Sequence, residues 1–200
     1  MVTIRAYEPR DLEALYDICV VTGAAGRDAS PLHNDLKLVG HIYSAPYGVL
    51  EPAQAIVAED EHGVAGYLVG AYDSNAFNAK LERDWWPALR AQYANPSFEP
   101  TEADRARIAA IMHPSSSPAE IVAEYPAHIH MNLRAHLRGQ GVGMALLKRW
   151  VAQAKADGVK AIHLGASASN AGGIAFWQKG GFLPLQSNDR TAWFGMKLGD

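Results

Sequence analysis

Arg138-Gly139-Gln140-Gly141-Val142-Gly143 is the stretch on which the reading of the whole chain turns. Its glycines let the backbone turn sharply and approach a ligand with no Cβ in the way. Upstream, Ala127–Leu133 reads as a strand. Downstream, residues 141–157 read as a helix, with Val142, Leu146, Trp150, Val151 and Ala154 on one face and Gly158 closing it. The first turn of such a helix presents unpaired N–H groups and a partial positive charge. Loop and helix start together read as a pyrophosphate cradle, to which Arg138 adds a charge-assisted contact. A P-loop needs Gly-Lys-Ser/Thr at its end, and none follows. A dinucleotide fingerprint needs a third glycine where this chain has Met144 (counting from Gly139) or Leu146 (counting from Gly141), so both nucleotide readings lose.

Working outward, residues 159–166 read as the next strand and 170–179 as the next helix. Strand, helix, strand in that order implies a parallel pair joined by a right-handed crossover. Residues 182–185 and 191–198 read as two closing strands. On the N-terminal side, residues 2–7 alternate as a strand. Pro9 then opens a helix, with Asp11 and Glu13 in its first turn and Leu12, Leu15, Tyr16, Cys19 and Val20 at helical spacing. Residues 23–31 form a loop, 36–43 a short helix, and 53–59 with 64–72 a hairpin. Residues 74–118 are irregular and aromatic-rich. They read as a helical insertion, with helices near 79–93 and 101–112, inside a single domain spanning 1–200.

Composition bounds the function. The chain has 200 residues, 48% hydrophobic and 20% charged, with a net charge of −3 and no run of Lys or Arg. A chain this long buries roughly 70% of its unfolded surface, so it needs no disulfide or metal staple. Nucleic acid and anionic membrane are poor partners for it. Cys19 is the sole cysteine and reads as a buried structural thiol. The opening residues have no apolar leader core, and no apolar run is long enough to span a bilayer, so the default expectation is a cytoplasmic protein.

The glycine loop resembles motif A of the GNAT acetyltransferases, Gln/Arg-x-x-Gly-x-Gly/Ala, through Arg138, Gly141 and Gly143. Asn170-x-x-Gly173-x-x-Phe176-Trp177-x-Lys179-x-Gly181-Phe182 resembles the family's second signature. The runs His128–Leu133 and His163–Asn170 also resemble the acetyltransferase-like domains of O-GlcNAcases. The resemblance implies an α/β GNAT fold: a mixed, mostly antiparallel sheet splayed at the motif-A strand, with helices on both faces. It implies acetyl-CoA as cosubstrate. The pyrophosphate would lie on the backbone of Gln140, Gly141, Val142, Gly143 and Met144, beside Arg138 and Gly139. Met131, Asn132 and Leu133 would pair with the pantetheine arm, and Asn170, Gly173, Trp177 and Lys179 would approach it from the next helix. Asn170 also suits an N-cap. No metal is expected.

The pattern departs from the family at the catalytic groups. Many relatives have a Tyr at the position of Trp177, where the phenol protonates the departing thiolate. Indole N–H is a donor and no useful acid. A thiol of pKa roughly 8.5 leaves without strong help, so losing an acid worth ~10²–10⁴-fold slows the reaction without forbidding it. Ser167, Ser169 or water could serve instead. Ala127 stands where some relatives carry a base. His128 and His130 lie on one face of that strand, and neutral imidazole there could take a proton from an ammonium; a hydrogen-bonded core pair is the competing reading. A metal pair lacks a third ligand at suitable spacing. Asp73, at the end of the hairpin, could hold an amine or simply form a turn. Trp85, Trp86, Tyr93 and Phe98 could wall an acceptor cleft or pack the insertion. His130 and Asp73 are therefore the catalytic candidates for direct transfer of acetyl to an amine. The rivals are an acyl-CoA-binding or regulatory module without turnover, and a phosphometabolite enzyme using the same loop. Amino sugar, small amine, antibiotic and peptide amine all stay open as acceptor. A mildly acidic chain favours a cationic one, and the resemblance leaves a homodimer open.

Overall fold

The computed structural model describes residues 1–199. Among these residues seven strands form one open sheet in the order β1-β2-β3-β4-β5-β7-β6. They are β1 (Thr3–Ala6), β2 (Ile56–Asp60), β3 (Gly63–Ala71), β4 (Ala127–Leu133), β5 (Ala161–Ser167), β6 (Leu183–Ser187) and β7 (Thr191–Lys197). Every neighbouring pair is antiparallel except β4 and β5. That parallel pair is in register only at Ala127↔Ile162 and His128↔His163, so most of β4 has no partner on its β5 side. The splayed mixed sheet expected from the motif resemblance is what forms.

Period-2 alternation sends side chains to opposite faces, and each face has its own core. On one face Val57, Tyr67, Val69 and Ala71 pack under α1 (Leu12–Val20), α2 (Leu38–Tyr43), α3 (Ala45–Leu50) and the insertion helices. On the other, Leu68, Ile129, Ile162 and Leu164 pack under α8 (Val142–Ala156), whose Leu146, Leu147 and Trp150 are buried, and under α9 (Ala171–Lys179). Strand β4 serves both faces: Ala127, Ile129, Met131 and Leu133 belong to the α8 side, leaving His128, His130 and Asn132 for the other.

The insertion contains α4 (Ser74–Lys80), α5 (Trp86–Ala94) and α6 (Glu102–Met112), followed by α7 (Ala119–Glu124). The expected helix over 79–93 begins five residues earlier, because Asp73 caps it. It is also interrupted by a π-turn at Leu81–Trp85. Pro87 supplies the reason: with no N–H to donate and a ring that crowds the preceding turn, it forces the ladder wider, and Trp86 N bonds Leu81 O. Two helices went unforeseen. Helix α3 holds Pro46 in its first turn, where a missing N–H costs nothing, and α7 follows Pro118 beyond the expected end of the insertion. The helix expected to start at Pro9 opens as a 3₁₀ turn, Pro9–Asp11, before α1.

Candidate active site

The N-terminus of α8 faces the gap between β4 and β5. Ala145 is the first residue to close the helical ladder, onto Gly141 O at 3.0 Å. The N–H groups of Val142, Gly143 and Met144 are thus the orphaned first-turn donors, and no side chain caps them. Gly139 and Gly141 have φ of 75° and 80°, the left-handed region, and a Cβ on either would meet nothing within 4 Å. The rim is therefore open, and its glycines are needed for conformation. Gly143 is different: its Cβ would sit 3.1 Å from Leu133 and 3.2 Å from Phe176. Those contacts place the helix start directly against the end of β4.

Arg138 is only partly free for an anion. Its guanidinium donates to Gly26 O at 2.7 Å and to Leu133 O at 3.2 Å, clamping the 23–31 loop to the end of β4. Gln140 is exposed, its side-chain amide bonded to His136 O. Asn170 caps α9: its Oδ1 accepts from Gly173 N at 2.9 Å, so only Nδ2 is left for a ligand. A Cβ on Gly173 would strike that same amide at 2.6 Å, which accounts for the glycine. Lys179 is exposed at the end of α9. The Asn132 side chain turns away from the gap, accepting from Tyr67 Oη at 3.1 Å and donating to Thr22, so β4 offers the gap only its backbone there. Trp177 is 8% exposed, edge-on to Phe176 and Phe182 at 5.0 and 5.5 Å in the α8-side core. Packing explains it; Phe176, one residue earlier, is the aromatic that reaches the helix start.

On the opposite face, three imidazoles stand in a row across the foot of the gap: His130 and His128 at 6.1 Å, His128 and His163 at 5.7 Å between centroids. Hydrogen bonds fix two of them. Ser74 Oγ donates to Pro126 O at 2.6 Å, so it accepts from His128 Nδ1 at 2.7 Å, and His128 Nε2 then accepts from Tyr47 Oη at 2.7 Å. His163 Nδ1 donates to Tyr125 O at 2.6 Å and its Nε2 accepts from Ser117 Oγ at 2.9 Å. His130 is held by rings instead, 5.9 Å from Tyr43 and 5.5 Å from Tyr47. Neither of its nitrogens bonds a described residue, and neither is sealed from solvent. Burial, with the neighbouring His163, pulls His130 down to about 4. Burial and its two neighbours hold His128 well below the ordinary imidazole value, and burial also lowers His163. All three are neutral near pH 7.

Asp73 does not join this row. Its Oδ1 accepts from Ala76 N at 3.0 Å as the N-cap of α4, and the carboxylate is exposed. The turn-forming reading accounts for it, and the neighbouring Ser74 is the residue delivered to His128. The aromatics of the insertion also go to packing. Trp86 and Tyr93 are buried in the core, Trp85 Nε1 donates to His41 O at 2.9 Å, and Phe98 packs alongside. The residues that do face His130 were missed: Tyr43 and Tyr47. Nothing local in the sequence marks them, because α2 and α3 meet β4 only in the tertiary fold. Among the described residues no group of three or more His, Cys, Asp or Glu is placed to hold a metal ion.

The residues that form the uncapped helix start and the splayed parallel pair lie within the span of a family model. The model of the Acetyltransferase (GNAT) family fits residues 41–182. The chain belongs to the GNAT acetyltransferase family. The crystal structure of SsHAT superposes with a TM-score of 0.91 at 32% identity, covering 100% of this chain and 99% of that one. The yncA structure from Salmonella typhimurium, with its cofactor acetyl-CoA, superposes at 0.57 with 16% identity over 100% of this chain and 95% of that one, a likeness of fold. Protein O-GlcNAcase of Rattus norvegicus is 27% identical over 163 residues, 78% of this chain. The mouse protein matches equally, and this chain spans 17% of the length of either. No helix among the described residues is long and apolar enough to cross a membrane.

Proposed function

We propose that this GNAT protein is an N-acetyltransferase that moves acetyl from acetyl-CoA directly to an amine, and that residues 1–200 act as one domain with the 74–118 insertion on the acceptor side. One observation carries the proposal: the β4–β5 ladder ends at His128↔His163, and the uncapped first turn of α8 lies against the far end of β4 through Gly143 and Leu133. The orphaned N–H groups suit a pyrophosphate, and the unpaired β4 edge suits an amide-bearing arm. The cosubstrate supplies an activated thioester carbonyl; the rest is the work of this chain. A free N–H on the open side of β4 polarises the carbonyl, and holding both reactants in register supplies proximity. His130, neutral and with free nitrogens, accepts the ammonium proton directly or through water. Burial, with His163 nearby, keeps that ring neutral, and the Tyr43 and Tyr47 rings pack against it. Ser167 and Ser169, whose hydroxyls lie 2.9 Å apart at the end of β5, are the polar hydrogens available to the departing thiolate.

The test is thiol release from acetyl-CoA in the presence of amine panels, beside calorimetry of coenzyme A binding. Amine-dependent release supports the proposal. Trp177, packed in the core where relatives carry an acidic phenol, favours a second reading: a module that binds acyl-CoA without turnover. Tight binding with no release across the panels would select that reading.

A further inference from the structure

The second half of α8 covers a cavity that the proposed reaction does not use. Trp150 forms one wall. Its Nε1 donates to Gln54 O at 2.7 Å, and its ring stands edge-on to Tyr72 at 5.5 Å between centroids. From the sheet the cavity is lined by Ala55 and Ile56, and an alanine side chain is too short to reach the helix. A space of about 120 Å³ is left. Voids larger than a water are few in a folded domain, because interiors pack as densely as organic crystals. An apolar cavity of about 150 Å³ takes up benzene, so a space of this size, open on one side, has room for a single aromatic ring.

The open side carries a positive charge. Arg149 and Gln153, both exposed and one turn apart on α8, also line the cavity. Arg149 donates through Nη1 to Ile4 O on β1, and no carboxylate among the described residues pairs with it. The rest of its guanidinium fork makes no bond to a described residue. The acid nearest to this rim is already engaged: Asp157 accepts from Tyr72 Oη at 2.8 Å and from Gln153 Nε2 at 2.9 Å. Two aromatic walls and a free guanidinium at one mouth make a mixed site. The rings favour an edge-to-face aromatic partner, and the guanidinium favours a planar oxyanion that accepts parallel hydrogen bonds.

We propose that this cavity binds a small aromatic carboxylate, with its ring against Trp150 and Tyr72 and its carboxylate on Arg149. None of these residues lines the gap beside β4, so the site does not rest on the acetyltransferase reading.

The experiment is a nuclear magnetic resonance titration of the full chain with benzoate, benzamide and acetate as probes. It follows the five indole N–H signals, with that of Trp150 assigned by its loss in Trp150→Phe. Benzoate should shift the Trp150 signal saturably and bind about tenfold tighter than benzamide, as the loss of a charge-assisted pair predicts. Acetate, which has the charge without the ring, should not saturate. Arg149→Met should bring benzoate down to the level of benzamide and leave benzamide unchanged. Arg149→Lys should keep part of the preference, since a point charge replaces the fork. Arg149 is exposed, so both variants should keep the wild-type urea midpoint. Equal binding of benzoate and benzamide, a preference that survives Arg149→Met, or no saturable shift of Trp150 up to the solubility limit of benzoate would overturn the site.

Discussion

His130 is the imidazole in the row with no task inside the protein. His128 spends both nitrogens on Ser74 and Tyr47, and His163 spends both on Tyr125 and Ser117. Burial, with His163 nearby, lowers His130 to about 4, and the Tyr43 and Tyr47 rings beside it leave its lone pair unoccupied. His130→Ala should lower kcat, by less than the ~10²–10⁴-fold usual for a general base because a group lowered to about 4 is a weak one, with little change in coenzyme A affinity by calorimetry. The pH profile is a second check. The base is usable in its neutral form, and its folded value is depressed, so the enzyme-borne acid limb belongs near pH 4. No limb should appear near 6.5, and any rise toward alkaline pH should track the acceptor's own ammonium. A wild-type limb near 6.5 that vanishes in His130→Ala would contradict the cage.

Helix α6 packs against α2 and α5, and its placement depends on one carboxylate. Asp104 is fully buried and accepts from His33 Nδ1 at 2.8 Å, Asn34 N at 3.0 Å and Thr101 N at 3.0 Å. Thr101 completes a capping box by accepting from Asp104 N at 3.0 Å. One side chain thus fixes the helix start and ties it to the loop before α2. Backbone contacts hold the Asp104 carboxyl below the usual range despite its burial. Asp104→Ala strands three donors and should cost about 2–4 kcal/mol in urea unfolding.

For the whole molecule, buried histidines set the acid sensitivity. His41 and His130 are both lowered to about 4, and His128 and His163 are also lowered, burial being the first cause in each. The unfolded chain titrates these groups near 6.5. Between about pH 6.5 and 4 the unfolded state therefore binds more protons than the folded one, and stability falls as pH falls across that window. Carboxylates held low by their partners, such as Asp11 and Asp104, add their loss at lower pH still. Urea midpoints should be level above pH 7 and decline steadily from pH 6.5 toward 4.5. A flat response there would mean the histidines charge freely in the fold.

The sequence by itself determined the second half of the chain. Glycines 139, 141 and 143 between a seven-residue alternating strand and an amphipathic helix allow few geometries, so the open glycine turn, the parallel pair and the order of β4, α8, β5 and α9 were legible from local chemistry. The same local reasoning was ambiguous wherever a polar side chain had two uses. Asp73, Asn132 and Trp177 fit a ligand site on paper and are spent on a cap, a buried hydrogen bond and a core. Only the tertiary structure decided the surroundings of His130. Tyr43 and Tyr47 come from two helices with no shared periodicity, and they meet His130 because both faces of β4 must be covered. Hydrogen-bond saturation then separated His130 from His128. That is a property of neighbours brought from distant parts of the chain, so no window of sequence around β4 could contain it.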